Sequence, residues 1–169
     1  TIDGFSLDES IKQNAKEVYK IIANAESKVH GVEVADIHLH EVGMKDAIMD
    51  ITAFCYIISR INAEIITCSP IATGYGEVKT AHGILPVPAP ATALLLAGIK
   101  NYAGDVKGEL TTPTGAGLIR YFAKEITTER PQVYDKIGYG MGSKDFEKPN
   151  CVRVFVSDEN EEAVVELKC

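Results

Sequence analysis

A histidine-rich segment near residue 40 contains the residue types that bind divalent metal ions. His38 and His40 alternate in a short strand-like pattern, so both imidazoles would point to the same side, and Glu41 follows directly. Two imidazoles with a nearby carboxylate suit nickel, zinc or a similar ion. The same pattern also fits a polar strand end before a helix, so the spacing alone leaves both interpretations open.

A second candidate lies in the proline-rich segment 82–90. His82 stands beside Gly83, which lets the backbone come close to a ligand. Prolines at three alternate positions hold the segment extended, which lowers the conformational entropy lost on binding. His82 is therefore a candidate metal-binding residue, although a rigid connector with His82 on its surface would give the same pattern.

A run of threonine and glycine lies between a predicted strand and a predicted helix. Thr111, Thr112, Thr114 and Gly115 would bring free N–H groups and hydroxyls to a helix start, which suits the phosphate or carboxylate of a ligand. The spacing and the lysine of a P-loop are absent. The alternative is a threonine N-cap followed by small residues that allow close helix packing.

Three glycines alternate in a strand-like segment near residue 140. Gly138, Gly140 and Gly142 would leave one face of a strand without side chains, so another backbone or a flat ligand could approach it. The pattern is GxGxG and not GxGxxG, and no helix follows that would bind a pyrophosphate. A dinucleotide site is therefore not predicted.

Helices and strands roughly alternate along the chain, which is typical of layered folds. Ser6 has the form of a helix N-cap with Glu9 three residues on, and apolar residues then recur on one helix face as far as Val29. We expect an α/β or α+β fold, a layered mixed sheet with helices packed on it. Residues 1–157 are predicted to form one domain, and residues 158–169 to begin a linker or strand that leads to a further C-terminal domain.

The composition restricts the classes of partner. The chain has 169 residues, 46% of them hydrophobic, and a net charge of −7, which argues against nucleic acid or an acidic membrane surface as a partner. No apolar run approaches the ~20 residues of a membrane span, and no signal peptide is visible. The widely spaced cysteines are typical of reduced thiols in a cytoplasmic protein. The sequence neither indicates nor excludes a homo-oligomer.

Four segments, in this order, resemble one known family: HLHEVGMKDAIMD, HGILPVPAPAT, ELTTPTGAGLIRYFA and KIGYGMGSKDFEKPNCVRVFV. The family is the nickel-insertion protein, a nickel chelatase of the lyase class, of the lactate-racemase cofactor pathway. The resemblance covers nearly the whole chain, from Ser6 to Val156. It implies that Ni(II), as the substrate metal, is inserted into a pyridinium bisthiocarboxylate mononucleotide while CTP is consumed, which gives a nickel pincer nucleotide.

The resemblance also implies that proteins of this family extend further in both directions. The CTP site, with Mn or Mg, belongs to their C-terminal region. This chain is therefore expected to be the core of the N-terminal half and to be inactive alone. No catalytic residue is carried over from the family.

Together the four segments give a mechanistic hypothesis. The phosphate of the mononucleotide would bind at the helix start that begins at Thr111, and the flat ring would approach the glycine face. His38, His40, Glu41 and His82 would hold nickel in transit until the thiocarboxylate sulfurs take it over. Two alternatives stay open: a non-catalytic mononucleotide-binding or scaffold module, and, third, a metal-dependent hydrolase.

Overall fold

The computed structural model describes residues 2–37, 45–129 and 133–157, and the backbone of 164–168. Its four α-helices are α1 (Glu9–His30), α2 (Lys45–Ile61), α3 (Pro90–Leu95) and α4 (Pro113–Phe122). Short 3₁₀ turns at Ile2–Gly4 and Val34–Asp36 flank α1. In the described parts of the chain, no helix is long and apolar enough to cross a membrane.

Helix α1 forms where the apolar spacing predicts it. Its buried residues follow the helical period and include Val18 and Ile22, both fully buried. The predicted cap at Ser6 is wrong, because the helix begins at Glu9 with Asp8 at the N-cap position. The helix ends at Gly31, which has a left-handed φ of 66° and whose N–H donates to Ser27 O over 2.8 Å.

Helix α4 packs closely on α1 because it carries a glycine at the contact. A Cβ atom added at Gly117 would lie 2.6 Å from Cγ1 of Ile22, which is closer than real Cβ contacts come. Tyr121 lies one turn further on, and its hydroxyl donates to Asn14 Oδ1 of α1 over 2.8 Å. A small side chain at residue 117 therefore sets the distance between the two helices.

The main sheet has five strands: β1 (Ile65–Cys68), β8 (Glu125–Ile126), β9 (Lys136–Met141), β10 (Cys151–Val156) and β11 (Val164–Lys168). Their order is β8-β1-β11-β10-β9. Strand β1 pairs in parallel with β8 and β11, whereas β10 is antiparallel to β11 and β9. The sheet is therefore mixed, as predicted.

Three small two-stranded sheets lie between β1 and β8 along the chain. They pair β2 (Ile71–Ala72) with β6 (Asn101–Tyr102), β3 (Gly74–Tyr75) with β7 (Gly108–Glu109), and β4 (Glu77–Thr80) with β5 (Gly83–Pro86). Strand β3 lies beside β7 so closely that residue 74 has no room for a side chain. A Cβ atom at Gly74 would collide with the carbonyl oxygen of Gly108, and Gly74 has a φ of +81°, so glycine is required there.

The hydrophobic core lies between the helices and β1. Ile51 and Cys55 of α2 are fully buried in it, and Cys68 of β1 joins the same cluster. This arrangement confirms the predicted fold class, in which helices pack on a mixed sheet. Strand β11 lies inside the main sheet, between β1 and β10. The proposed boundary at residue 157 stays a prediction.

Candidate functional site

A cavity of about 660 Å³ lies beside the outer end of the main sheet. This size is typical of sites for small ligands. One wall is formed by β9 and β10, and another by the segment around Tyr102 to Val106. Phe146 and Pro149, from the connection between β9 and β10, line it as well. Aromatic and aliphatic groups therefore supply much of the surface that a ligand would meet.

The side chains on one face of β9 and β10 point toward this cavity. Tyr139 stands opposite Arg153 in the antiparallel register, and Met141 stands opposite Cys151. All four line the cavity. Since residues directly opposite each other in an antiparallel pair share a face, the cavity meets a face that carries large side chains.

The predicted glycine face is the opposite side of β9. Gly138 and Gly140 alternate with Tyr139 and therefore point away from the cavity wall that it forms. A Cβ atom at either glycine would have no neighbour within 4 Å, so this face is open. Gly142 differs, because it follows the end of β9 and a Cβ atom there would collide with the side chain of Asn150.

Positive charge is present at two places around the cavity. The guanidinium of half-buried Arg153 lies 5.6 Å from the ring centroid of Phe155, a cation–π distance. Lys148 donates a hydrogen bond to Asp105 across the rim. That bond and the charge of Lys148 lower the pKa of Asp105. Because Lys148 is paired, Arg153 is the cation with capacity to bind an anionic ligand group.

The predicted anion-binding segment at the start of α4 adjoins the cavity along the chain. Leu110, which lines the cavity, directly precedes Thr111. Thr111 is buried, and its hydroxyl donates to Ala72 O over 2.7 Å. The hydroxyl of Thr112 caps the helix by accepting from Gly115 N–H over 3.2 Å. Thr114 follows Pro113 in the first turn and is half-buried.

The first turn of α4 thus shows the helix cap that was the alternative interpretation. The N–H of Gly115 donates to the cap hydroxyl and that of Ala116 to the Thr112 carbonyl, while Pro113 has no N–H. Much of the donor capacity of this turn is therefore used within the chain. Anion binding by Thr111, Thr112, Thr114 and Gly115 stays a prediction.

His82 lies in the tight turn that joins β4 and β5, exposed to solvent. Its imidazole faces that of His30, the last residue of α1, with 4.9 Å between ring centroids. His38, His40 and Glu41, the other predicted metal ligands, lie outside the described residues. Within the described ranges, no group of three or more His, Cys, Asp or Glu side chains could hold a metal ion.

The buried cysteines have the properties of packing residues. Cys55 is fully buried, and desolvation raises its pKa to about 11. Cys68 is buried as well, whereas Cys151 is half-buried at the cavity. A thiol with a raised pKa is a poor nucleophile and metal ligand at neutral pH, so Cys55 is excluded as a reactive group.

Two important residues were missed by the sequence reasoning. Arg153 lies in an otherwise apolar strand, and a lone arginine in such a strand is a signal that could have been used. Nothing in the sequence marks His30 as a site residue, because its neighbour His82 is 52 positions away. A contact between such distant histidines becomes visible only in the folded chain.

The chain is an α/β protein with an open cavity of the size that is typical of small-ligand sites. The whole chain, residues 1–169, matches the model of the family described as nickel insertion protein. The chain belongs to this family. No solved structure matches the chain significantly.

Several curated relatives carry corresponding names. A pyridinium-3,5-bisthiocarboxylic acid mononucleotide nickel insertion protein of Staphylococcus epidermidis is 41% identical over 99% of this chain and 43% of its own length. A putative nickel insertion protein of Methanocaldococcus jannaschii is 44% identical over 99% of this chain and 44% of its own length. One from Dictyoglomus thermophilum is 43% identical over 98% of this chain and 43% of its own length. The chain thus spans less than half the length of these relatives.

Proposed function

We propose that this chain forms the ligand-binding part of a cytoplasmic, CTP-dependent nickel insertase of the lyase class. Its substrate is a pyridinium bisthiocarboxylate mononucleotide, which receives Ni(II) to become a nickel pincer nucleotide. The name of the Staphylococcus epidermidis relative supports this choice of substrate. CTP, with Mn or Mg, would act in the part of the relatives that this chain does not span.

The observation that carries the proposal is the cavity with Arg153 in its wall. The mononucleotide has a flat, aromatic ring and an anionic phosphate. Tyr139 and Phe146 offer aromatic surface for the ring, since both line the cavity. The fork of the Arg153 guanidinium suits a phosphate oxygen pair.

The start of α4 gives a second possible position for the phosphate. Thr111 to Gly115 follow Leu110 at the cavity margin, so a phosphate bound there would still allow the ring to enter the cavity. The open glycine face of β9 is the corresponding alternative for the ring. If the phosphate and the ring occupy these two positions, Arg153 is not needed for mononucleotide affinity. An Arg153 variant therefore distinguishes this alternative from binding in the cavity.

For nickel, we propose imidazoles as transient ligands. His82 is exposed in the turn between β4 and β5, where an incoming ion can reach it. His38, His40 and Glu41 complete the set proposed from the sequence. Imidazole and carboxylate release Ni(II) more readily to a soft sulfur ligand than thiolates would, which suits an ion in transit.

A non-catalytic mononucleotide-binding module is the second candidate. It is favoured by the lining of the cavity, since Tyr139, Phe146 and Arg153 suit the ring and the phosphate of a mononucleotide and need no metal ion. Under this alternative the chain binds the mononucleotide as tightly as the first proposal requires, but it does not bind nickel.

The proposal is tested by calorimetric titration of the mononucleotide into the chain. The matched control is the same molecule without its phosphate. We expect saturable binding of the mononucleotide and at least about tenfold weaker binding of the control, since a lost charge-assisted hydrogen bond costs about 1.5–3 kcal/mol. Absence of mononucleotide binding would overturn the proposal.

A second assay separates binding from chemistry. The chain is incubated with mononucleotide, Ni(II), CTP and Mg²⁺, and the products are measured by mass spectrometry. We expect no nickel product from this chain alone, because the CTP-dependent step is assigned elsewhere. Formation of the product would contradict that assignment, and metal-stimulated hydrolysis of phosphoesters would favour the hydrolase.

A further inference from the structure

The imidazoles of His30 and His82 form a pair that the sequence does not suggest. Their ring centroids are 4.9 Å apart, and the ring planes are tilted by 52°. His30 is the last residue of α1, whereas His82 lies in the turn between β4 and β5. Both residues are solvent-exposed. Burial of apolar surface therefore does not explain why the two rings approach each other.

Local hydrogen bonds fix the position of each histidine. The turn that carries His82 is closed by Thr80, whose hydroxyl accepts from His82 N–H over 3.1 Å and donates to Gly83 O over 3.1 Å. His30 is followed by Gly31, whose left-handed conformation ends α1 directly behind the imidazole. The turn between β4 and β5 and the C-terminal end of α1 thus fix the positions of the two histidines.

The surroundings of the pair favour a cation. His30 stands at the C-terminal end of a 22-residue helix, where the helix dipole places partial negative charge. The carboxylate of Glu26, one turn earlier, lies 3.6 Å from His30 Nε2. A carboxylate at this place suits a metal-bound histidine, because such histidines commonly have a carboxylate beside the ring nitrogen that does not bind the ion.

From this geometry we propose that His30 and His82 together bind one Ni(II) ion. This proposal deepens the proposed function, on which the choice of nickel rests. Two protein ligands leave the other coordination positions of the ion to water. The ion therefore remains exchangeable, as required of a metal that is passed on to another ligand. Glu26 acts as a positioning residue that orients the His30 ring and does not itself bind the ion.

The test is titration of Ni(II) alone into the whole chain, followed by calorimetry. The variants are His30→Ala, His82→Ala and the double variant. We expect each single variant to lower the affinity at least about tenfold. The double variant should lose little more than either single variant, because both ligands serve one ion and their effects are not additive.

The matched control is Lys28→Ala, which removes another exposed side chain from the last turn of α1 and leaves both imidazoles in place. It should retain the Ni(II) affinity of the unchanged chain. Unchanged Ni(II) affinity in His30→Ala would overturn the inference, as would complete loss of binding in the control. Circular dichroism melting checks that every variant folds.

A further variant tests the positioning role of Glu26. Glu26→Gln keeps the shape of the side chain but removes its charge. We expect about tenfold weaker Ni(II) binding with an unchanged melting temperature, and equal affinity would refute the positioning role. Because no mononucleotide is present, failure of these titrations leaves the mononucleotide-binding proposal standing, and the two proposals fail separately.

Discussion

Gly117 of α4 and Gly140 of β9 are the same residue type in opposite environments. A Cβ atom at Gly117 would lie 2.6 Å from Ile22 of α1, whereas one at Gly140 would have no neighbour within 4 Å. The first glycine permits two helices to pack, and the second leaves a strand face open. A glycine in the sequence therefore indicates room for close approach but does not tell which group approaches.

The same contrast separates the two halves of the fold. The helical side, around α1 and α4, is closely packed and explains stability. The outer sheet side, around β9 and β10, carries exposed aromatic and charged groups beside a cavity. We therefore expect substitutions on the helical side to change folding, and substitutions on the sheet side to change binding.

The largest expected effect on stability is at Gly117. Gly117→Val places methyl groups against Ile22 and should lower the free energy of unfolding by about 2–3 kcal/mol. The matched control is Gly115→Ala in the same helix, where the added Cβ would lie 3.6 Å from Thr112 Oγ1, an ordinary contact. The control should change stability by less than about 1 kcal/mol. Urea unfolding measures both, and equal losses would contradict the close-packing explanation.

The fold was predictable from the sequence wherever apolar residues follow one period over a long segment. Helix α1 is an example, and only its first residues were misplaced, because Ser6 and Asp8 both suit an N-cap. The mixed sheet was also predicted. The order of its strands was not, since β1 and β11 pair across about a hundred residues, and local patterns contain no information on such pairing.

The candidate site was less predictable than the fold. Thr112 was identified as a possible helix cap or anion ligand, and local sequence could not separate these roles. Arg153 and Tyr139 belong to different strands and become neighbours only through the antiparallel register. The His30–His82 pair has the same origin. Residue types indicate which chemistry a side chain can perform, but long-range contacts decide which groups act together.

A smaller effect is expected at Gly140. Gly140→Val should change the free energy of unfolding by less than about 1 kcal/mol, because the face is open and valine is favoured in strands. If the ring of the ligand enters the cavity, mononucleotide affinity should stay unchanged, whereas Tyr139→Ala on the cavity face should weaken it. Calorimetry compares the two. A loss of affinity in Gly140→Val alone would place the ring on the glycine face.

A pH-dependent effect concerns a thiol in the packed half. Burial raises the pKa of Cys55 from its ordinary value of 9.0 to about 11. The unfolded state therefore loses this proton first, and stability should fall as the pH rises from about 9 to 11. The free energy of unfolding should fall by less than ~1.4 kcal/mol per pH unit, which is the slope for a difference of one whole bound proton between the folded and unfolded states. Cys55→Ala should make this slope shallower, and an unchanged slope would exclude Cys55 as its source.

The most direct test of the central claim, that the cavity beside β9 and β10 binds the mononucleotide, is its dissociation constant for Arg153→Gln. We predict an increase of about 10- to 100-fold, from loss of a charged hydrogen-bond donor, with little change in stability. Thr114→Ala is the matched control and should bind like the unchanged chain. Unchanged affinity in Arg153→Gln, together with a large loss in Thr114→Ala, would contradict the claim and place the phosphate at the start of α4.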